Sequence, residues 1–366
     1  MSFWRTLLPG RPRLPASSLE VLARLGQLLP AEWSVAQLAP SRAERRALKN
    51  ARAIFLEDWD LRRRLPPQHH VIVSSGLELA ADVVRLRSLL ASSRLLVTLE
   101  RTPQTGDAEA GRCLARLELG ELELRVYRGD FTDPLLRVDD YPTGVRPILS
   151  DLQPLHDVLL RIDRAGVPFH LGIVPAILEE PMVRFLNGLE HLIVAQHGFD
   201  HGYPIYSKLL IEQNDPFNQR GTVKAFDEFA GRDYEEQLEL LRRGRDILQS
   251  RLGRPVAGYV PPTNTANRST GRALEALSFE YVLTEQTVPG CELPCIPSGF
   301  YGRSSELAPG PVPDVATLHV TWEADLARSG VDSLAPFLTT LCNERQRRRD
   351  EVHRVSDRIA RHVPAG

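Results

Sequence analysis

From about residue 129 onward the chain alternates short β-rich runs with longer amphipathic stretches, and this alternation limits the fold more than any other feature. Repeated strand then helix is satisfied by a mostly parallel sheet or barrel, because parallel neighbours need a crossover between them. The strand candidates are Leu135 to Asp140, Pro168 to Val174, Leu192 to Gln196, Val256 to Val260, Phe279 to Thr284 and Ala316 to Trp322. The stretch after Asp151 places Leu155, Val158, Leu159 and Ile162 on one helical face, and Gly166 can end it. Asp233 can cap a longer helix with Tyr234, Leu238, Leu241, Leu248 and Leu252 as its apolar stripe and Gly253 at its C-terminal cap.

Residues 1 to 128 read as a separate, smaller α/β region. Ser17 and Ser18 can cap a helix carrying Leu19, Val21, Leu22, Leu25 and Leu28, and a second helix is expected after Ser41. The run HVIVS (70 to 74), a helical stretch from Gly76 to Leu90 and the strand-like Leu95 to Leu99 make one βαβ-like unit. Ala115 to Leu119 and Glu121 to Tyr127 alternate on either side of Gly120 as a hairpin would. His69 and His70 are adjacent at a strand start, so their side chains face opposite ways and do not share a ligand. Residues 346 to 366 read as a polar helical tail, with Arg345 to Arg349 on a solvated face.

Composition removes several classes of function. With 45 basic and 47 acidic residues and a net charge of -2, the chain lacks the positive field that binds phosphate backbones, so nucleic acid is set aside. Lys49, Lys208 and Lys224 are the only lysines, an arginine bias that points to a bacterial, GC-rich genome. No apolar run reaches the length of a membrane span, and MSFWRTLLPGRPRLP lacks the apolar core and cleavage site of a secretory signal. Four cysteines do not form a disulfide framework in a chain of 366 residues. Cys291 and Cys295 have the spacing of zinc ligands but no second pair, so they are read as structural. The expectation is a cytoplasmic protein with reduced thiols.

Chemistry should gather at the C-terminal ends of the parallel strands. RVDDYP puts Asp139 and Asp140 at one such end, where adjacent carboxylates need a cation or else serve as a turn or helix cap. QHGFDHGYP places His197 and His201 in a loop after another strand. Ten histidines make that spacing easy to reach by chance, yet imidazole plus carboxylate is a donor set suited to zinc. His319, in TLHVTW, reads either as a hydrogen-bonded core residue or as an acid–base group.

In order and spacing, these elements resemble the polysaccharide deacetylase superfamily, named for the rhizobial chitooligosaccharide deacetylase. The chain is most similar to a divergent branch whose metal loop reads His-Gly-aromatic-x-His. The downstream EFAGRDYEEQLELLRRGRDILQSRLGRPVAGYVPPTN, with Glu228 and Phe229, also looks like that branch. The resemblance covers roughly residues 129 to 325. It implies a deformed (β/α)7-type barrel of parallel strands over 129 to 345, with the N-terminal α/β region preceding it. It also implies a divalent metal, Zn2+, held by Asp140, His197 and His201. Asp139 would then be the general base, His319 the donor of a proton to the departing amine, and an N-acetylated carbohydrate of bacterial surface-polysaccharide metabolism the substrate.

Two departures from the family pattern stand out. Where many members carry an arginine that orients the base, this chain reads GYVPPTN, and proline offers no N–H to an oxyanion. Thr263 is one replacement donor, and Arg137 and Arg303 are the candidates for the missing arginine, although Arg137 could equally be a structural ion-pair partner. Gly198 stands where Ser or Thr is common. These departures leave a second reading open, in which the barrel is a non-catalytic carbohydrate-binding or docking module.

Overall fold

The computed structural model describes residues 22–25, 27–29, 35–38, 53–56, 69–75, 93–101, 113–119, 122–129, 133–142, 152–201, 228–308 and 312–362. The chain divides into two compact units, one made of Met1–Asp133 with Gln346–Gly366 and the other of Pro134–Arg345.

The first unit holds a six-stranded mixed sheet. Its strands are β1 (Val35–Leu38), β2 (Ala53–Leu56), β3 (His69–Ser75), β4 (Ser93–Arg101), β5 (Cys113–Leu119) and β6 (Leu122–Arg128), in the order β2-β1-β3-β4-β6-β5. The first four run parallel, and β6 pairs antiparallel with both β4 and β5. The hairpin around Gly120 is therefore present, and β3 and β4 are parallel neighbours as a βαβ unit requires. The helices expected after Ser41 and over 76–90 lie outside the described residues.

The two-residue period of β6 sends Leu124 and Val126 into a core with Leu22, Leu25, Leu95, Val97 and Leu99. Glu123, Arg125 and Tyr127 line its other face, where Arg125 donates to Glu123 at 2.7 Å and to the Tyr127 hydroxyl at 3.3 Å. The same core takes in Val352, Val355 and Ile359. The segment from Gln346 on thus contributes an apolar face to this unit.

The second unit is built on an eight-stranded, all-parallel sheet. Its strands are β7 (Leu135–Tyr141), β8 (Phe169–Ile173), β9 (Leu192–His197), β10 (Gly258–Val260), β11 (Tyr281–Leu283), β12 (Cys295–Ile296), β13 (Phe300–Tyr301) and β14 (Val315–His319). The order is β12-β11-β10-β9-β8-β7-β14-β13, so the last long strand returns to pair with the first. Six of these strands match the sequence candidates, and the two-residue strands β12 and β13 end the sheet on either side. This is the deformed parallel βα-barrel architecture expected from the alternating pattern. One boundary moves: Ala316 to Trp322 is not a single strand, because β14 stops at His319 and a helix begins at Val320. TLHVTW alternates like a strand, but the fully buried Val320 is packed by the helix it starts.

The helices of this unit are α1 (Gln153–Arg164), α2 (Glu180–Asn187), α3 (Tyr234–Leu252), α4 (Arg268–Ala276) and α5 (Val320–Arg328), followed by α6 (Leu334–His362), which enters the first unit at Gln346. Helix α1 buries Leu155, Val158, Leu159 and Ile162, the face read from the sequence. Helix α3 starts on a capping box in which Glu236 N donates to Asp233 and Asp233 N to Glu236, and it ends at Gly253, left-handed at φ 61°. Its buried stripe is Gln237, Leu241, Gly244, Leu248 and Leu252, whereas Tyr234 and Leu238 are only partly covered. Gly244 sets this approach, since a Cβ there would lie 2.4 Å from Gln196 Nε2 on β9.

The arginines from Arg345 to Arg349 are not a uniformly solvated face. Arg345 donates to the Gly166 carbonyl at 2.6 Å, Arg348 is buried, and Arg349 grips the Asp133 carboxylate through two N–H groups. An arginine stem packs against apolar surface while its planar head finds acceptors, which composition alone does not reveal. Among the described residues, no helix is long and apolar enough to cross a membrane.

Two predictions follow from this packing. Ile359 is fully buried, and Ile359→Ala should lower the unfolding free energy by about 2–5 kcal/mol in chemical denaturation. His170, on β8, accepts or donates at 2.9 Å with Tyr281 on β11, and its Nδ1 is buried without a partner. Burial, with Arg137 adding to it, pushes the imidazole down from 6.5 to about 4. A base depressed in the folded state contributes stability above its unfolded value and loses it as pH falls through the folded one. His170→Gln should therefore flatten the loss of stability between pH 6.5 and pH 4, by on the order of 3 kcal/mol. Parallel denaturant titrations at the two pH values check it, and an unchanged slope would refute it.

Candidate active site

Asp139 and Asp140 precede Tyr141, the last residue of strand β7, and neighbouring residues of a regular strand face opposite ways. Here the pairing of β7 with β8 shifts register between Val138 and Tyr141, and Asp140 adopts a left-handed φ of 67°. Aspartate tolerates that conformation better than most side chains. The irregularity brings both carboxylates into one buried site. Gly172 on β8 leaves room beneath them, as its Cβ would sit 3.3 Å from Asp139 Oδ1 and 3.5 Å from His197 Cβ.

Asp139 is held from within its own strand. Arg137, two residues earlier and so on the same face, donates from Nε to Asp139 Oδ1 at 2.8 Å and from Nη2 to Oδ2 at 2.6 Å. Both partners are almost wholly buried, at 1 % exposure each. Arg137 Nη2 also donates to Asn264 Oδ1 at 3.2 Å, and Nη1 lies 3.9 Å from Glu285. Of the two candidates for the missing arginine, Arg137 is the one beside the carboxylate. Arg303 is exposed and precedes a 3-10 turn. The Pro-Pro segment continues into a turn, Pro262–Asn264, where Thr263 and Asn264 have φ of 54° and 57°. That turn delivers Asn264 to the ion pair.

Asp140 has a different set of partners. His197 Nε2 lies 2.9 Å from its Oδ1, His201 Nε2 lies 3.4 Å from the same oxygen, and His319 Nε2 is 3.8 Å from Oδ2. Burial opposes ionisation of Asp140, but the charge of His319 and the hydrogen bonds from His197 and His201 outweigh it and hold the carboxyl well below its ordinary value. Asp139, Asp140, His197, His201 and His319, the five residues singled out in the sequence, are all buried, with the three imidazoles against Asp140 and His319 paired across from Asp139.

One ligand atom from each of Asp140, His197 and His201 can be chosen with all three within 4.8 Å of one another. The hydrogen bonding of His197 tests whether a metal suits them. Its Nδ1 is 3.0 Å from the Val260 carbonyl, which can only accept, so Nδ1 carries the proton. A neutral imidazole then turns the lone pair of Nε2 toward Asp140 Oδ1, itself an acceptor. A cation must stand between them, and either a second proton or a metal ion meets the need. The donor set fits a divalent metal.

His319 follows from the corrected strand boundary. It ends β14 directly opposite Asp139 on β7 and precedes α5. Its ring stacks on Trp322 one helical turn later at a centroid distance of 3.8 Å, and its Nε2 is 3.0 Å from the Tyr301 hydroxyl. Burial pushes its pKa down, against the pull of the Asp140 and Asp139 carboxylates.

Sequence reasoning missed Tyr301, Asn264 and Trp322 as neighbours of the site. Trp322 carried a signal, the three-residue spacing from His319, once the segment is known to be helical. Tyr301 carried none, because it arrives on a two-residue strand. The loop that carries His201 has φ of 60° at both Gly198 and His201. Glu228, recognised in the sequence without a role, lies against that loop, and burial pushes its carboxyl up to about 7. Cys291 and Cys295 are half-buried, and burial raises the Cys291 thiol to about 12, where it is a poor ligand.

No family model matches the chain, and no curated protein matches it. Among solved structures the chain is similar to the family 4 carbohydrate esterase from Streptomyces lividans in complex with acetate, at 15% identity, 58% of this chain, 89% of that chain and a TM-score of 0.34. It is also similar to a candidate polysaccharide deacetylase from Mycobacterium smegmatis, at 17% identity, 52% of this chain, 60% of that one and a TM-score of 0.29. The mitomycin 7-O-methyltransferase MmcR aligns at 12% identity over 31% of this chain and 54% of its own, with a TM-score of 0.24. At these TM-scores the likenesses carry no argument, and the chemistry rests on the chain's own residues.

Proposed function

We propose that the chain is a metal-dependent deacetylase that removes an N-acyl group from a sugar of bacterial surface-polysaccharide metabolism. The observation that carries this reading is the separation of two neighbouring buried carboxylates into different environments. Asp140 faces a pair of imidazoles, whereas Asp139 is gripped by a guanidinium two residues away. Such a division suits one acid as a ligand and the other as a base. The choice of an N-acylated sugar over another amide comes from the motif resemblance.

Asp140, His197 and His201 would hold the metal, with zinc matching one carboxylate and two imidazoles. When bound, zinc supplies positive charge that acidifies a water and stabilises an oxyanion. Arg137 fixes the plane of the Asp139 carboxylate, so that the base meets a water in one orientation. Asp139 takes the proton as that water attacks the acyl carbonyl. His319 is buried at the end of β14 beside Asp140, and it would give a proton to the departing amine nitrogen. Tyr301 and Trp322 fix the His319 ring, through the hydroxyl at 3.0 Å and the stacked indole.

Acetate release from N-acetylated sugars, measured alongside metal content, tests the proposal. Asp139→Asn should lower turnover by roughly 100- to 10,000-fold while zinc stoichiometry stays at the wild-type level. Retention of substantial activity would reject Asp139 as the base. His201→Ala should instead lower the zinc content itself, and an unchanged content would remove His201 from the ligand set. Metal without hydrolysis in the wild-type protein would favour a binding module over an enzyme.

A further inference from the structure

The segment Gly198-Phe199-Asp200 between the two histidine ligands has its polar backbone tied to other parts of the unit. The Gly198 carbonyl accepts from Gln196 Nε2 at 2.9 Å, and the Phe199 carbonyl accepts from Ala176 N at 3.0 Å. The N–H groups of Phe199 and Asp200 both donate, at 2.8 Å each, to one oxygen of Glu228, Oε1. Glu228 is 28 residues or more further along the chain and is 5 % exposed. Its second oxygen occupies the space that a side chain at position 198 would need, because a Cβ on Gly198 would fall 1.8 Å from Oε2 and 2.7 Å from Pro262 Cγ.

These contacts give Glu228 and Gly198 a joint purpose. His201 holds a left-handed φ of 60°, a conformation that costs a non-glycine residue free energy and persists only where its surroundings impose it. The two N–H groups just before His201 are where such an imposition acts. We infer that Glu228 is a positioning residue for the metal ligands: its carboxylate gathers the 199–200 backbone and sets His201 against Asp140, and Gly198 is glycine so that this carboxylate fits. This rests on the metal reading above and assigns a role to a residue outside the ligand set.

The test compares acceptors of equal size in the full-length protein. Zinc affinity is read by competition with a chromophoric chelator, and the visible spectrum of the cobalt(II) form reports the ligand geometry. Glu228→Gln keeps an oxygen where Oε1 stands and should bind zinc within about threefold of wild type. Glu228→Met fills the same volume without an acceptor and should lose roughly 10- to 100-fold in affinity, with an altered cobalt spectrum. Should the Met variant not fold, Glu228→Asp serves in its place; its shorter side chain cannot reach both N–H groups and should lose about tenfold. Wild-type affinity and spectrum in the folded Met variant, or failing that in the Asp variant, would overturn the inference and leave the metal reading standing. A wild-type protein that takes up neither zinc nor cobalt would overturn both.

Discussion

Two adjacent carboxylates taken out of water must each find positive charge, and the second unit is arranged around that requirement. Like charges at such range in a poorly polarisable interior cannot both stay ionised without compensation. Arg137 answers for Asp139 through two N–H groups, and Asp140 lies against the rings of His197, His201 and His319, where a proton or a metal ion on the imidazoles is the cation that can answer for it. Breaking either arrangement would leave a buried charge alone, which is among the more costly defects a fold can carry. The register shift in β7, the left-handed Asp140 and the glycine at 172 all serve to make these two separate pairings possible on one strand.

The parallel sheet explains how groups so distant in sequence reach one another. β7, β9 and β14 all end on the same side, and their last residues are Asp139 to Tyr141, His197 and His319. β10 runs beside β9 with Val260 opposite His197, so its carbonyl can fix the tautomer of that ring. The turn after β10 adds Asn264 to the Arg137–Asp139 pair. The ends of these four strands thus supply either a polar group of the site or an atom that orients one, as is usual in βα architectures.

The first unit rests on different physics. Its core is aliphatic, formed by β4, β6 and the apolar face of α6, and its buried polar groups pair along one strand as Glu123, Arg125 and Tyr127. The arginine-rich start of this part of α6 is not merely solvated, since Arg349 meets Asp133.

By itself the sequence determined the period-driven features: the parallel strands β7 to β11 and β14, the buried face of α1, the capped ends of α3 and the hairpin at Gly120. Hydrophobic spacing and capping chemistry are local, so a linear reading captures them. It also marked Asp139, Asp140, His197 and His201, because polar residues at or just after strand ends stand out against apolar runs, and His319 through the motif resemblance. Only the tertiary structure decided that β14 stops at His319, that Asp139 and Asp140 share a side of β7, that Arg137 rather than Arg303 faces Asp139, and that Glu228 and Tyr301 belong beside the loop and the imidazole. Those outcomes depend on strand register, positive φ and contacts between residues far apart in the chain, as in Arg137 with Asn264, 127 positions on. Residue identity does not encode such contacts until the chain has folded.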